Sequence, residues 1–143
     1  MSTKVTVIVA VHNGDKALAG CLDSVKKQTL QEIEVIMVDA ASDDATAEIM
    51  KGYLSDSRFR YIRNEIDSIS QARNLAISEA KGKYIARMDA DDICLPDRLE
   101  KQFKFMEENS DVALSSCRFM TVKNGVYMSG GAGGRCDNNA LRA

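Results

Sequence analysis

The sequence lacks any long apolar segment. Its first four residues lead directly into the apolar stretch Val5–Val11. That stretch is far shorter than the ~20 residues that span a bilayer, and it does not have the layout of a secretory signal. We therefore expect a cytoplasmic protein, and we leave open peripheral association with the cytoplasmic face of a membrane.

The sequence also lacks paired cysteines and a strong net charge. None of its four cysteines forms a C-x-x-C pair, and the first three lie in or beside apolar segments. This pattern is typical of reduced packing residues rather than of disulfides or zinc ligands. The formal net charge is -2, and like charges do not form long blocks. We therefore expect no nucleic-acid partner.

Common phosphate-binding motifs are missing as well. No G-x-G-x-x-G follows the first apolar stretch, which argues against a nicotinamide cofactor. No G-x-x-x-x-G-K-[ST] is present to bind a triphosphate. The single histidine, His12, has no serine or cysteine partner nearby in the sequence, so we interpret it as a turn residue at the edge of a cleft.

What is present is a regular alternation of short apolar and amphipathic segments. The apolar segments predict strands at Val5–Val11, Ile33–Val38, Phe59–Arg63, residues 83–88 and Val112–Met120. The amphipathic segments predict helices from Leu18 to the Gln28 region, over Ala45–Leu54 with Ser42 as cap, over Ser70–Ala80 ended by Gly82, and from Pro96 onward. This order predicts an α/β fold with a mainly parallel sheet and helices on both faces.

We predict one domain over residues 1–128. Near its end, Asn124-Gly125 separates two apolar segments, which indicates a hairpin that adds antiparallel pairing at the sheet edge. Residues 129–143 contain a glycine-rich tract and no apolar period, and we expect them to form a flexible tail.

Three carboxylates follow the fourth predicted strand. If the chain stays extended there, Asp89 and Asp91 point to the same side about 7 Å apart, and Asp92 follows directly. Oxygen ligands of this kind suit Mg²⁺ or Mn²⁺. The alternative, a polar turn or helix cap, is open for such a short acidic segment.

Other polar residues also follow predicted strand ends. Asn13 follows the first strand and Asp39 ends the second, so we expect them to share one crevice with the acidic segment. A carboxylate at Asp39 could accept a hydrogen bond from a nucleobase, or it could simply cap a turn. Arg73 is predicted in the first turn of its helix, where it could bind a phosphate, pair with an acid or remain solvated.

Together these segments resemble the family 2 glycosyltransferases of the GT-A fold. The resemblance covers roughly residues 4–120. It is carried by residues 7–14, Glu34–Asp39 with Ser42, Ser70–Asn74, Tyr84–Asp92 and Leu95–Leu99. Several motifs in the same order are far more specific than a single D-x-D segment. The resemblance implies a Rossmann-like GT-A nucleotide-binding domain.

The resemblance also implies the site residues. Contacts to the donor nucleotide would come from Ala10, Val11, Asn13, Asp39, Arg73 and Asp89. The divalent metal, Mn²⁺ or Mg²⁺, would be held by Asp91 and Asp92. The family usually has a second aspartate and a glycine after Asp39, where this chain has Ala40 and Ala41.

The implied function is metal-dependent transfer of a sugar, with inversion, from a nucleotide-diphosphate donor to a saccharide or lipid-linked acceptor. The expected donor is a UDP-sugar. We expect this chain to be the amino-terminal, nucleotide-sugar-binding portion of such an enzyme, with the general base outside it, because the late acid Asp137 has no scaffold.

Two other functions stay open. The chain could be a nucleotide-binding or regulatory domain that kept the fold without catalysis, which Ala40 and Ala41 would suggest. An aspartate-nucleophile phosphatase agrees less well with the order of the motifs. An apolar face left exposed by a missing carboxyl half could also drive homo-oligomer formation.

Overall fold

A computed structural model describes residues 2–123, 126–129 and 135–137 of the chain. The strands are β1 (Val5–Val11), β2 (Ile33–Ala40), β3 (Phe59–Asn64), β4 (Tyr84–Met88), β5 (Val112–Ser115), β6 (Met120–Lys123), β7 (Val126–Ser129) and β8 (Arg135–Asp137). The helices are α1 (Leu18–Lys26), α2 (Thr46–Lys51), α3 (Ile69–Ser78) and α4 (Arg98–Glu108).

These elements form two compact units. The first comprises the described part of Met1–Leu99 and the second that of Glu100–Ala143. The first unit contains a four-stranded parallel sheet with the order β3-β2-β1-β4. The second contains two antiparallel pairs, β5 with β8 and β6 with β7. The predicted α/β fold with a mainly parallel sheet is confirmed.

The two central strands form the core of the first unit. Every residue of β1 and β2 is buried. Because side chains alternate along a strand, full burial means that both faces of the sheet are covered. On one face, Ala72 and Ala76 of α3 pack in a buried cluster with Ile36 and Val38 of β2. Their small side chains let the helix lie close to the sheet.

Helix α1 has the apolar stripe that its sequence predicts. Leu18, Cys21, Leu22 and Val25 are almost completely inaccessible to solvent. A loop connects β1 to this helix. Within the loop, Gly14 N–H donates to Thr46 Oγ1 of α2. The central strands and their helices thus fix the positions of the loops at the carboxyl edge of the sheet.

The structure differs from the sequence prediction near the end of the chain. The predicted strand Val112–Met120 is two strands, β5 and β6, separated by residues 116–119. The expected hairpin forms as β6 and β7, but it is a separate sheet and does not extend the parallel one. Its turn, Asn124-Gly125, lies outside the described residues. Within the predicted tail, Arg135–Asp137 pairs with β5.

Gly82 has a different role from the predicted one. We expected it to end the helix, but α3 already ends at Ser78, and φ at Gly82 is not in the left-handed region that would mark a glycine helix cap. A side chain at this position would collide with the backbone nitrogen of Thr6. Gly82 N–H also donates to Thr6 Oγ1 over 2.9 Å. The glycine is needed because two backbone segments approach closely.

Two residues other than glycine adopt positive φ, namely Asn13 at 52° and Ala41 at 58°. They follow the neighbouring strands β1 and β2. Asparagine tolerates this conformation, whereas alanine is disfavoured in it by about 1–2 kcal/mol per residue. Ala41 is therefore a strained position at the carboxyl edge of the sheet. The family that the sequence resembles usually has glycine at this position.

We predict that Ala41→Gly stabilises the chain. Relief of the left-handed strain outweighs the extra entropy of glycine in the unfolded state, for a net gain of about 0.5–1 kcal/mol. Urea denaturation at constant protein concentration measures the change. Ala19→Gly, at an exposed position in α1, is the matched control and should destabilise by about 0.5–1 kcal/mol. Equal losses in both variants would contradict the assignment of strain to Ala41.

Candidate functional site

The carboxyl ends of three neighbouring strands lie at one edge of the sheet in the first unit. Asn13 follows β1, Asp39 is the next-to-last residue of β2, and Asp89 follows β4. The strand order places β1 between β2 and β4. The structure therefore brings these side chains to the same edge, as open parallel sheets do at their ligand sites.

The last residues of β1 extend beyond its pairing with β4. Pairing with β4 ends at Val9↔Met88, whereas pairing with β2 continues to Val11↔Asp39. Ala10 and Val11 therefore have no partner from β4 on one side of their backbone. Both residues are buried, with 7% and 5% of their surface exposed. Their contact with a donor nucleotide stays a prediction.

Hydrogen bonds tie the loops after β1 and β2 to each other. Asn13 N–H donates to Ser42 Oγ over 2.9 Å, and Asp43 N–H donates to Asn13 Oδ1 over 3.0 Å. The Asn13 side chain is thus used, at least in part, to hold the second loop. Ser42 does not cap α2 as predicted, because Asp44 Oδ1 accepts from Thr46 N–H instead.

Asp39 is completely buried and already hydrogen-bonded. Its Oδ1 accepts from Ser42 N–H over 3.0 Å, and its Oδ2 accepts from Arg63 Nη1 over 2.6 Å. Tyr61 Oη is 3.4 Å from the same oxygen. Since the side chain has no exposed surface, a base cannot reach it unless Arg63 moves. The contact of Asp39 with Ser42 N–H is that of a carboxylate that caps a turn, which is one of the two roles left open by the sequence.

The ionisation of Asp39 follows from these contacts. Burial by itself would raise the pKa of Asp39, but the hydrogen bonds from Ser42 and the Arg63 guanidinium outweigh it and hold the pKa below the ordinary value. Arg63 Nη1 also donates to Ser42 O over 3.0 Å. The pair therefore links the end of β3 to the loop after β2.

Asp89 is bound by two arginines. Arg87 contacts both of its oxygens, with Nη2 at 2.9 Å from Oδ1 and 2.6 Å from Oδ2. Arg73 Nη2 donates to Oδ1 over 2.9 Å. The Arg87 hydrogen bonds, more than the charge of Arg73, hold the pKa of Asp89 below its usual value despite partial burial. Arg73 lies in the second turn of α3, which begins at Ile69, and not in the first turn as predicted.

The acidic segment is a turn rather than an extended strand. Strand β4 ends at Met88, and Asp92 N–H donates to Asp89 O over 3.1 Å. The alternation that would place Asp89 and Asp91 on one side therefore does not apply. Asp91 and Asp92 are exposed. Within the described residues, no three histidine, cysteine or acidic side chains converge as a preformed metal site.

His12 lies at the same edge of the sheet. Its Nδ1 is 2.7 Å from Ala40 O and 3.3 Å from Asp67 Oδ1. The hydrogen bond to Ala40, followed by nearby carboxylates including Asp67, raises the pKa of His12 above its ordinary value against the effect of burial. His12 lies directly after β1, in the loop where the sequence predicted a turn residue.

The sequence interpretation missed Arg63 and Arg87. Both arginines have a signal in the chain. Arg87 is two residues before Asp89, so the two side chains can meet on the same side of the strand end. Arg63 is directly opposite Asp39 in the pairing of β3 with β2. The second signal requires knowledge of the strand register. Without it, Arg63 is one of several basic residues in a polar segment.

Comparisons with known proteins identify the family of this chain. The sequence profile described as "Glycosyl transferase family 2" matches residues 6–134. The chain belongs to glycosyl transferase family 2. A protein of Methanocaldococcus jannaschii named "uncharacterized glycosyltransferase" is 42% identical over 114 residues, which are 77% of this chain and 39% of that protein. Glycosyltransferase GlyA of Streptococcus pneumoniae is 35% identical over 126 residues, or 87% of this chain and 18% of GlyA.

The fold of this family 2 chain is also that of a solved relative. The crystal structure of S. aureus TarS in complex with UDP-GlcNAc superimposes with a TM-score of 0.72 at 28% identity, covering 86% of this chain and 36% of TarS. The chain spans between 18% and 40% of the length of the curated relatives it matches. Among the described helices, none combines the length and apolarity needed to cross a membrane.

We predict that Asp39→Asn destabilises the fold at neutral pH by about 1.5–3 kcal/mol, since a buried charged hydrogen bond to Arg63 is lost. The pKa of Asp39 is lowered by folding. The ionised Asp39 therefore contributes fully to the free energy of unfolding above the pKa of the unfolded state, about 3.9. That contribution is lost as the pH falls through the lower pKa of the folded state. The difference between wild type and variant should shrink below about pH 4. Urea denaturation at pH 7 and pH 3 measures it.

The control is Asp43→Asn, an exposed acid in the same loop. Asp43 contacts Asn13 through its backbone N–H and not through its carboxylate. This variant should stay within about 0.5 kcal/mol of wild type. An Asp39→Asn difference that does not change between pH 7 and pH 3 would contradict the ionic role of Asp39.

Proposed function

We propose that this chain binds the nucleotide diphosphate of a sugar donor at the carboxyl edge of its parallel sheet, as the donor-binding part of a family 2 glycosyltransferase. One observation carries the proposal. Beside the open end of β1, two arginines hold Asp89 while Asp91 and Asp92 project from the next turn without side-chain partners among the described residues. The two arginines suit an anionic ligand, and the two free carboxylates suit a metal ion that accompanies it.

The residues present fit a hard divalent cation. Mg²⁺ commonly uses one or two protein carboxylates, with its other ligands from water and substrate phosphates. Asp91 and Asp92 would supply these two carboxylates, since Asp89 is already bound to Arg73 and Arg87. Mn²⁺ or Mg²⁺ held there would stabilise the negative charge of the departing diphosphate.

Arg73 is placed to help with the diphosphate. Its guanidinium contacts Asp89 through Nη2, and its side chain is one-third exposed. A guanidinium carries five donors, so this contact leaves donors for a phosphate oxygen. We assign Asp89 to orienting Arg73 and keeping the end of β4 in place, rather than to holding the metal ion.

The nucleobase would lie against the ends of β1 and β2. Ala10 and Val11 extend β1 beyond its pairing with β4, and Asn13 holds the adjacent loop. Asp39 would act on the base only after its contact with Arg63 opens. In the closed arrangement it acts indirectly, by fixing Ser42 and Arg63.

The finer features of the reaction belong to this proposal too. We expect a UDP-sugar donor, a saccharide or lipid-linked acceptor, and inversion at the anomeric carbon. TarS, which is 28% identical, has been crystallised with UDP-GlcNAc, and this supports the choice of a uridine nucleotide as probe. Deprotonation of the acceptor requires a general base, and none of the residues placed at this edge of the sheet is assigned to that role.

The test is calorimetric titration of UDP into the chain with and without Mn²⁺. We expect Mn²⁺ to tighten UDP binding at least tenfold, and Asp91→Asn to remove most of that gain, because it removes one of the two free carboxylates. Glu48→Gln is the control, since it removes an exposed carboxylate from α2. It should leave the Mn²⁺ effect unchanged.

Absence of UDP binding by wild type under both conditions would overturn the proposal. A retained Mn²⁺ effect in Asp91→Asn would overturn the metal assignment alone. The binding-domain alternative is separated by incubating the chain with UDP-GlcNAc and measuring released UDP. Binding without release would favour a domain that recognises the donor and does not act on it.

A further inference from the structure

Helix α1 directs polar groups into the protein along its buried side. Cys21, Ser24 and Gln28, which lies just beyond the helix, are 0%, 8% and 1% exposed. Their spacing of three and four residues places them on one side of a helical segment. A buried polar group must be hydrogen-bonded to avoid a large desolvation penalty, so the partners of these three residues indicate what this side of α1 does.

Cys21 and Ser24 contact the main chain at the first residue of the acidic turn and just after its last residue. Cys21 Sγ donates to Asp89 O over 3.4 Å. Ser24 Oγ accepts from Cys94 N–H over 3.1 Å, and it is 3.2 Å from Cys94 Sγ. Asp91 and Asp92 lie between these two attachment points. The helix therefore holds the main chain immediately before and immediately after the free carboxylates.

Gln28 holds the segment that follows. Its Nε2 donates to Leu95 O over 2.7 Å, and the same nitrogen is 3.2 Å from Cys94 Sγ. Its Oε1 accepts from Leu99 N–H over 3.0 Å at the start of α4. One buried amide thus joins the end of the loop to the beginning of the next helix. The neighbouring Thr29 N–H donates to Pro96 O over 2.8 Å and completes the attachment.

We propose that Gln28 is a positioning residue for metal-assisted nucleotide binding, because it fixes the segment 94–99 and thereby the place of Asp91 and Asp92. The inference rests on the proposed function, in which these two acids hold the cation. Their side chains have no partners of their own among the described residues, so their positions depend on how the two ends of the loop are held. Groups that orient metal ligands commonly affect metal affinity ten- to a hundredfold.

The packing around this loop supports a role beyond stability. The residues on either side of Cys94, Ile93 and Leu95, are 76% and 68% exposed. These two side chains therefore add little to the packing of the loop. The hydrogen bonds from α1 hold it together with the buried Cys94 and Leu99 and with Arg98, which donates to Arg87 O over 3.2 Å. Loss of the Gln28 amide should loosen the loop without opening the core between α3 and the sheet.

The test compares Gln28→Met, which keeps the length of the side chain without its amide, with Thr6→Val. Thr6 is also fully buried and hydrogen-bonded, to Glu34 and Gly82, but it lies at the opposite end of the sheet. Calorimetry measures the factor by which Mn²⁺ tightens UDP binding. We expect Gln28→Met to lower this factor at least tenfold and Thr6→Val to leave it unchanged, although both lower the melting temperature.

Hydrogen exchange of the free protein supplies a readout that does not depend on any ligand. Gln28→Met should speed amide exchange of residues 92–99 by at least tenfold more than Thr6→Val does. Ser24→Ala removes the contact with Cys94 N–H in the same loop and should speed exchange in the same direction. It replaces Gln28→Met in this test if that variant does not fold. Unchanged exchange of this segment, or an unchanged Mn²⁺ factor, would overturn the inference.

The two proposals fail in different ways. Wild type that binds no UDP with or without Mn²⁺ refutes the proposed function, and with it the metal-related part of this inference. Wild type that shows the Mn²⁺ effect, together with a Gln28→Met variant that keeps it, refutes the inference and leaves the proposed function in place.

Discussion

The parallel pairing of β1 with β2 is the interaction on which the rest of the first unit depends. Both strands are buried along their whole length and remain in register from Val5↔Ile33 to Val11↔Asp39. Because they end together, the loops that follow them meet, and each must satisfy the polar backbone groups of the other. Asn13, Ser42 and Thr46 do this, and the backbone strain at Ala41 is held at the same place.

Arginine placement divides the acids at this edge into two kinds. Asp39 and Asp89 are bound by guanidinium groups, and their pKa values are lowered as a result. Asp91 and Asp92 are not paired within the described structure and remain exposed. The bound acids stabilise the loops, whereas the free acids are available to a ligand. In the proposed function the second kind carries the cation, and helix α1 fixes the turn that bears it.

Much of the first unit could be predicted from sequence because its signals are local. The β-branched apolar runs indicated β1 and β2, and the stripe of Leu18, Cys21, Leu22 and Val25 indicated α1. The prediction failed where contacts between distant segments decide the outcome. Gly82 is required by the close approach of Thr6, and Ser42 binds Asn13 rather than capping α2. The predicted strand from Val112 is divided, and its first part pairs with β8, which is distant in the sequence.

The sequence by itself determined the fold class, the order of the strands and helices along the chain, and the resemblance to family 2 glycosyltransferases, because periodicity and ordered motifs are properties of the chain alone. Only the tertiary structure decided which acids are free. Asp39, Asp89, Asp91 and Asp92 have the same side chain and all lie near strand ends. What separates them is the register that sets Arg63 opposite Asp39, and the packing that brings Arg73 of α3 to Asp89.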